Sequence, residues 1–295
     1  MKNGVINLKT ENLLSQVETV RADLNMNPLG VPESVTKAIA DNMSQLSVYP
    51  DHTTKKLKEA ISAYSGAKTD DIIVGGSSYE FVKILCEFTS PKKAILITPG
   101  AQNYEKLLSM NGCEIIYYST PEEEDFTLDI ADFISKLSED IDIIFISNPN
   151  GTTSQIIDAE SLEFIAKICD GNNITMVVDE EYMDFVDDLE RVAMFTDEKY
   201  IAESRELIRT ERNLVYSALS THKSIKLYKP AANFILIRIL RDAISAGDVV
   251  DYCMPKGLYI RSCADIGGLD NKYIRFCFMN PKQDDLLVNT VLEIV

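Results

Sequence analysis

The apolar run Met176–Val177–Val178 ends on Asp179, and Tyr182 follows three residues later. A carboxylate at the inner end of a buried strand needs a positive group to face, because leaving a charge unpaired in the interior is costly. Its plainer role is to cap the turn that leaves the strand, and Tyr182 could equally be core. A second group of residues is Gly75-Gly76-Ser77-Ser78-Tyr79. Between a strand and a helix, such a turn offers backbone N–H groups and hydroxyls that cradle a phosphate dianion; its plainer role is helix N-capping. The third is Arg261 with Arg275, whose planar guanidinium groups suit carboxylate and phosphate. Arg275, in KYIRFCF, is flanked by core residues and so calls for an anion, either a ligand or one of the chain's many acids. Six cysteines without a C-x-x-C pair, and only His52 and His222 beside them, give no zinc pattern, so no metal site is expected.

These residues need elements to position them. Helical spacing runs from Pro32 through PESVTKAIADNMSQL and again through TTKKLKEAISAYSG, which stops at a glycine. Five short apolar runs follow, DIIVGGSS, AILITPG, EIIYYST, DIIFISNPN and TMVVDEEY, separated by helical segments. Strands alternating with helices predict a parallel sheet covered on both faces, with ligands at the carboxyl ends of the strands. Beyond Phe195 the texture changes to one long charged helix, the strands ANFILIRIL and KYIRFCFM, and a closing helix, which predicts a smaller α+β unit. The expected division is an arm over 1–33, a large α/β domain over 34–190 and the small domain over 191–295. The run PEEEDF reads as a solvated loop.

Composition narrows the function. The 295 residues are 45% hydrophobic, enough for a substantial core, and carry 46 acidic against 29 basic side chains for a formal charge of -17. That balance disfavours nucleic acid and anionic membrane as partners. The start, MKNGVINLKTENLL, lacks the apolar stretch of a signal peptide, so a cytoplasmic protein with reduced thiols is expected.

Taken in order, the motifs resemble the fold-type I pyridoxal-phosphate (PLP) enzymes, and within them the histidinol-phosphate aminotransferase group with its threonine-phosphate decarboxylase relatives. LNMNPLG at Leu24–Gly30 resembles the group's entry motif, VYPD at Val48–Asp51 its dimer-contact motif and DIIVGGSSYE its phosphate turn. NPNGTTSQII, VVDEEYMDF, ANFILIRI, LYIRSC and YIRFCF follow in the expected order. The resemblance implies an aspartate-aminotransferase-type large domain with a mostly parallel sheet, a small α+β domain and a homodimer. It implies PLP as the ancestral coenzyme, held by Ser77, Ser78, Tyr79, Tyr104, Asp179 and Tyr182, with Tyr49 reaching across from the partner subunit. Asp179 would face the pyridine nitrogen and Tyr182 the ring's phenolic oxygen. Asn27, Arg261 and Arg275 would bind substrate, an amino acid or a phosphorylated amine, in amino transfer to a 2-oxo acid.

The chain departs from this pattern in one block. Only VDDLERVAMFTDEKY separates Phe185 from the next helix, too little for the two strands and helix that should carry the Schiff-base lysine, a serine and an arginine. Ser220-Thr221-His222-Lys223 copies the lysine motif's letters in the wrong place. The asparagine expected beside the ring falls at Gly151, and the stacking aromatic at Ala101. By resemblance the lost strands lie between DIIVGG and TMVVDEEY, so these two runs should either pair or flank a gap that another chain fills. No catalytic residue is assigned. The candidate functions are an aminotransferase-like enzyme of doubtful activity, a catalytically silent binding or dimer-partner protein, and a shortened gene product without function.

Overall fold

The computed structural model describes residues 19–100, 102–187 and 198–295. Four strands, β2 (Lys93–Thr98), β3 (Glu114–Ser119), β4 (Ile143–Ser147) and β5 (Thr175–Asp179), form a wholly parallel sheet in the order β3-β2-β4-β5. Helices α3 (Ser78–Thr89) and α4 (Gln102–Met110) pack on one face, around Val82, Cys86, Leu107 and Leu108. The short α5 (Ile130–Ile134) and α6 (Ala159–Gly171) cover the other, around Phe133, Ile165 and Cys169. Asp158 caps α6, accepting from Ser161 N, which starts the helix where the apolar spacing begins.

A second sheet is antiparallel, in the order β6-β7-β10-β9, formed by β6 (Ile225–Leu227), β7 (Phe234–Ile239), β9 (Arg261–Ser262) and β10 (Tyr273–Cys277). The 23-residue α7 (Glu198–Ser220), α8 (Ala246–Cys253) and α9 (Pro281–Ile294) close its core. A two-stranded parallel pair, β1 (Val20–Arg21) with β8 (Leu258–Tyr259), joins the N-terminal segment to this unit. Asn233 Nδ2 donates to Asn25 O, and Asn27 Nδ2 to Ser204 Oγ, so the LNMNPLG segment lies against the second sheet and α7.

Three expectations change. DIIVGG is not a strand of the sheet: the backbone is extended at Ile72, but among the described residues nothing pairs with 72–76. It is also not hydrogen-bonded to TMVVDEEY. Correspondingly β5, expected as a buried strand, is an edge: all five of its residues are half-buried, whereas four of the five in β4 are fully buried. Among the described residues, no strand lies between the two. Finally, PEEEDF is solvated only in part: Pro121, Glu123, Glu124 and Asp125 are exposed, but Glu122 and Phe126 are not. Glu122 accepts from Arg238 Nη1 and Tyr228 Oη, and Phe126, 4% exposed, packs with Tyr228 and Tyr273. Upstream, the expected helices α1 (Glu33–Asp41) and α2 (Lys55–Ser65) form, the latter ending at Gly66 with φ 75, but neither has a buried residue. All six cysteines are free and buried.

Candidate functional site

A cavity of about 220 Å³ opens where the carboxyl ends of β2, β4 and β5 meet the antiparallel sheet. Its floor is Tyr104, Phe145, Ser147 and Asp179; its walls are Asn150, Gly151, Glu181 and Tyr182 on one side and Arg261 and Arg275 on the other. The loops at the strand ends are fixed by Asn150, whose Oδ1 accepts from Thr152 N and Thr153 N, both at 2.9 Å, and whose Nδ2 donates to Pro99 O. Ser154 Oγ then accepts from Ala231 N and Ala232 N, at 3.0 and 2.8 Å, and Arg212 donates to the carbonyls of the same two alanines. The seam between the two sheets is thereby hydrogen-bonded immediately behind the cavity.

Asp179 ends β5 with both oxygens engaged. Oδ1 accepts from Glu181 N at 3.1 Å, the turn-capping bond open to a strand-end acid, and Oδ2 accepts from the Tyr104 hydroxyl. Tyr104 is buried and stacks on Phe145 at 4.9 Å with 19° between the rings. Its phenol is pushed far above the ordinary range, first by burial and then by Asp179. Glu181 at the cavity mouth is also raised, by desolvation and by repulsion from Asp179. Tyr182 packs edge-on to Phe234 at 5.1 Å and lines the cavity.

Arg275 sits in β10 opposite Leu236 and Arg261. Its guanidinium lies 5.2 Å over the Phe234 ring, and Nη1 donates to Gly151 O. Nε is buried without a hydrogen-bond partner, and no carboxylate among the described residues stands within ion-pair distance. The structural ion pair is therefore not what holds Arg275. Arg261 also lines the cavity, and its Nη2 donates to both carboxylate oxygens of Asp265, at 2.8 and 2.7 Å.

The remaining candidates lie elsewhere. Ser77, Ser78 and Tyr79 are exposed and do not line the cavity; Ser77 Oγ caps α3 by accepting from Glu80 N, and Gly76 N donates to the Glu80 carboxylate at 2.6 Å. Tyr49 is 89% exposed, edge-on to His52. Asn27 is occupied by Ser204. Ser220–Lys223 ends α7 and turns exposed into β6, away from the cavity. No lysine lines the cavity among the described residues, and no cluster of metal-ligating side chains occurs among them.

The family model of the class I and II aminotransferases matches residues 22–195. The chain belongs to this family. It is 24% identical over 330 residues to the threonine-phosphate decarboxylase of Salmonella typhimurium, covering 92% of this chain and 90% of that protein. It is 22% identical over 341 residues to the histidinol-phosphate aminotransferase of Methanosphaera stadtmanae, covering 96% and 92%. Both alignments exceed the 295 residues of this chain, so the relatives hold residues it lacks. The fold matches the crystal structure of the histidinol-phosphate aminotransferase from Clostridium acetobutylicum with a TM-score of 0.84 at 22% identity, over 93% of this chain and 98% of that one. The fold is that of the aspartate-aminotransferase-type PLP enzymes, α/β with a parallel sheet.

PLP as a covalent coenzyme needs an amine at its aldehyde, donors at its phosphate and a free acid at its ring nitrogen. The cavity has no lysine, the serine turn is outside it, and Asp179 is engaged by Tyr104. The residues present do not fit the group. The sequence shows Asn150 and Phe234 only as parts of motifs and gives Glu181 no distinguishing signal; the direct bond from Tyr104 to Asp179 carries none either, since 75 residues separate the two.

Proposed function

We propose that this chain is a non-transaminating member of the class I and II aminotransferase family that binds a small anionic ligand, an amino acid or phosphorylated amine, in the cavity between its two sheets. One observation carries the reading. Arg275 presents a buried, unpaired Nε at the edge of a cavity that no lysine lines. A half-buried guanidinium with no carboxylate in ion-pair reach among the described residues is incompletely satisfied, and a carboxylate or phosphate entering the cavity would supply the anion. Phe234 beneath and Gly151 O beside it hold the group in one orientation, which lowers the entropy lost on binding. With no amine placed against an aldehyde, the proximity advantage of amino transfer is absent. The reading includes a block lost after Phe185, supported by the unpaired 72–76 segment and the open β5 edge. It also includes a large domain ending near residue 190, and a cytoplasmic homodimer with Tyr49 at the contact. No helix is long and apolar enough to cross a membrane among the described residues.

Incubation with PLP, borohydride reduction and peptide mapping test this. Slow, scattered labelling of exposed lysines such as Lys55 and Lys56 is expected. Stoichiometric label on a single lysine, with Lys223 the first to inspect, overturns the reading and restores an aminotransferase.

A further inference from the structure

We propose that Tyr104 takes the place on Asp179 that a pyridinium nitrogen would need, so that the floor of the cavity is closed to pyridine coenzymes by a side chain of the chain itself. The proposal rests on the lysine-free reading above but concerns a different event, non-covalent entry of the ring. The Tyr104 hydroxyl donates to Asp179 Oδ2 while Glu181 N–H fills Oδ1. Neither donor is cationic, yet together they satisfy the carboxylate without any ligand. A phenol-to-carboxylate bond is charge-assisted, and poor access of water strengthens it. The raised phenol keeps its proton through the neutral range, so it stays a donor at any pH where the protein would meet a coenzyme.

The position of the ring matters as much as the bond. Tyr104 is 7% exposed and lies nearly parallel to Phe145, whose strand β4 is central in the sheet. A pyridinium reaching Oδ2 must displace the phenol from the acid and from its stacking partner together. Tyr104 belongs to α4, and Leu107 and Leu108 of the same helix are 3% and 0% exposed in the core against β2, so the helix cannot carry the ring aside without unpacking. From the opposite wall Gly151 has no side chain to offer a coenzyme oxygen; a Cβ there would meet Tyr182 at 3.5 Å and Ser147 at 3.8 Å, ordinary contacts. The closed state is thus built from one donor, one stacking surface and one anchored helix, and it leaves Arg275 and the outer cavity open.

Pyridoxamine 5′-phosphate is the probe, because its amine cannot condense with any lysine. Titration calorimetry compares the full-length protein with Tyr104→Phe and with Tyr104→Leu, each checked for native circular dichroism; the leucine variant serves if the phenylalanine variant misfolds. Removing the hydroxyl is expected to tighten binding at least fivefold, and adding Asp179→Asn to Tyr104→Phe should cancel the gain. A gain below fivefold, or one that survives Asp179→Asn, overturns the proposal. Borohydride trapping separates the two readings: a single labelled lysine sinks the lysine-free reading, whereas equal pyridoxamine 5′-phosphate affinities sink only the role of Tyr104.

Discussion

Asp284 and Glu211 face each other between α9 and α7 at 2% and 3% exposure, with no lysine or arginine in ion-pair reach among the described residues. Asp284 accepts from Met279 N with both oxygens at 3.0 Å. Burial first, with Glu211 and Asp285 adding repulsion against that backbone bond, pushes its carboxyl up to about 8, and burial raises Glu211 too. The folded protein therefore holds a proton that the unfolded chain releases near pH 4. A folded-state pKa raised in this way costs stability as pH rises from about 4 to about 8, after which the loss levels off. At about 1.4 kcal/mol per unit the full span is on the order of 5 kcal/mol, and sharing the proton with Glu211 reduces it. Asp284→Asn has the shape of the protonated acid: its carbonyl can still accept from Met279 N and its amide can donate to Glu211. Urea unfolding of both proteins from pH 5 to pH 9 should show the variant more stable at pH 8 by roughly 1–3 kcal/mol, with the difference shrinking toward pH 5. A variant destabilised at pH 8, or a difference independent of pH, would refute the shared-proton argument.

The Glu122 carboxyl would be raised by burial, but hydrogen bonds from Arg238, Tyr228 and Tyr273 outweigh this and hold it at about 2. Its contribution is present above pH 4.5 and lost as pH falls toward 2. Glu122→Gln should cost about 1–2 kcal/mol at pH 7, discounted for the partly exposed Arg238, and less at pH 3, read by chemical denaturation. Arg275→Gln should remove any rise in melting temperature that inorganic phosphate gives over chloride at equal ionic strength; a rise that persists would place the anion elsewhere. Thr175→Lys, a charge on the open β5 edge at a residue outside the core clusters, should reduce light scattering of concentrated protein, and unchanged scattering would show that this edge does not drive association.

The helices and strands themselves were readable because each owes its existence to local spacing. α2 stops where Gly66 supplies a left-handed backbone, and β7 and β10 are near-continuous apolar runs buried on both faces, with only Arg238 and Arg275 less than fully buried. DIIVGG shows the boundary of that method. Its β-branched residues favour an extended chain, and Ile72 is extended, yet a strand also requires a neighbour, which no local pattern encodes. The acid run at 122–124 departs at Glu122 alone, for a related reason. Solvation is the sensible default for three glutamates, and only the fold brings Arg238 and Tyr228, more than 100 residues later, onto the first of them.

The site divides along the same line. Arg275 was legible because a charge flanked by core residues in YIRFCF implies an anion, and the orphaned Nε is the form that implication takes in three dimensions. Asp179 was legible only as a question about what it faces. Its answer depends on β5 ending beside β4, on α4 crossing above Phe145 and on Tyr104 being the residue of α4 that points down, none of which is a property of the stretch that contains the acid. A family motif can therefore persist at full strength in the sequence while its partner changes from a ligand to a phenol, and the hydrogen-bond accounting of the acid, not the motif, distinguishes the two.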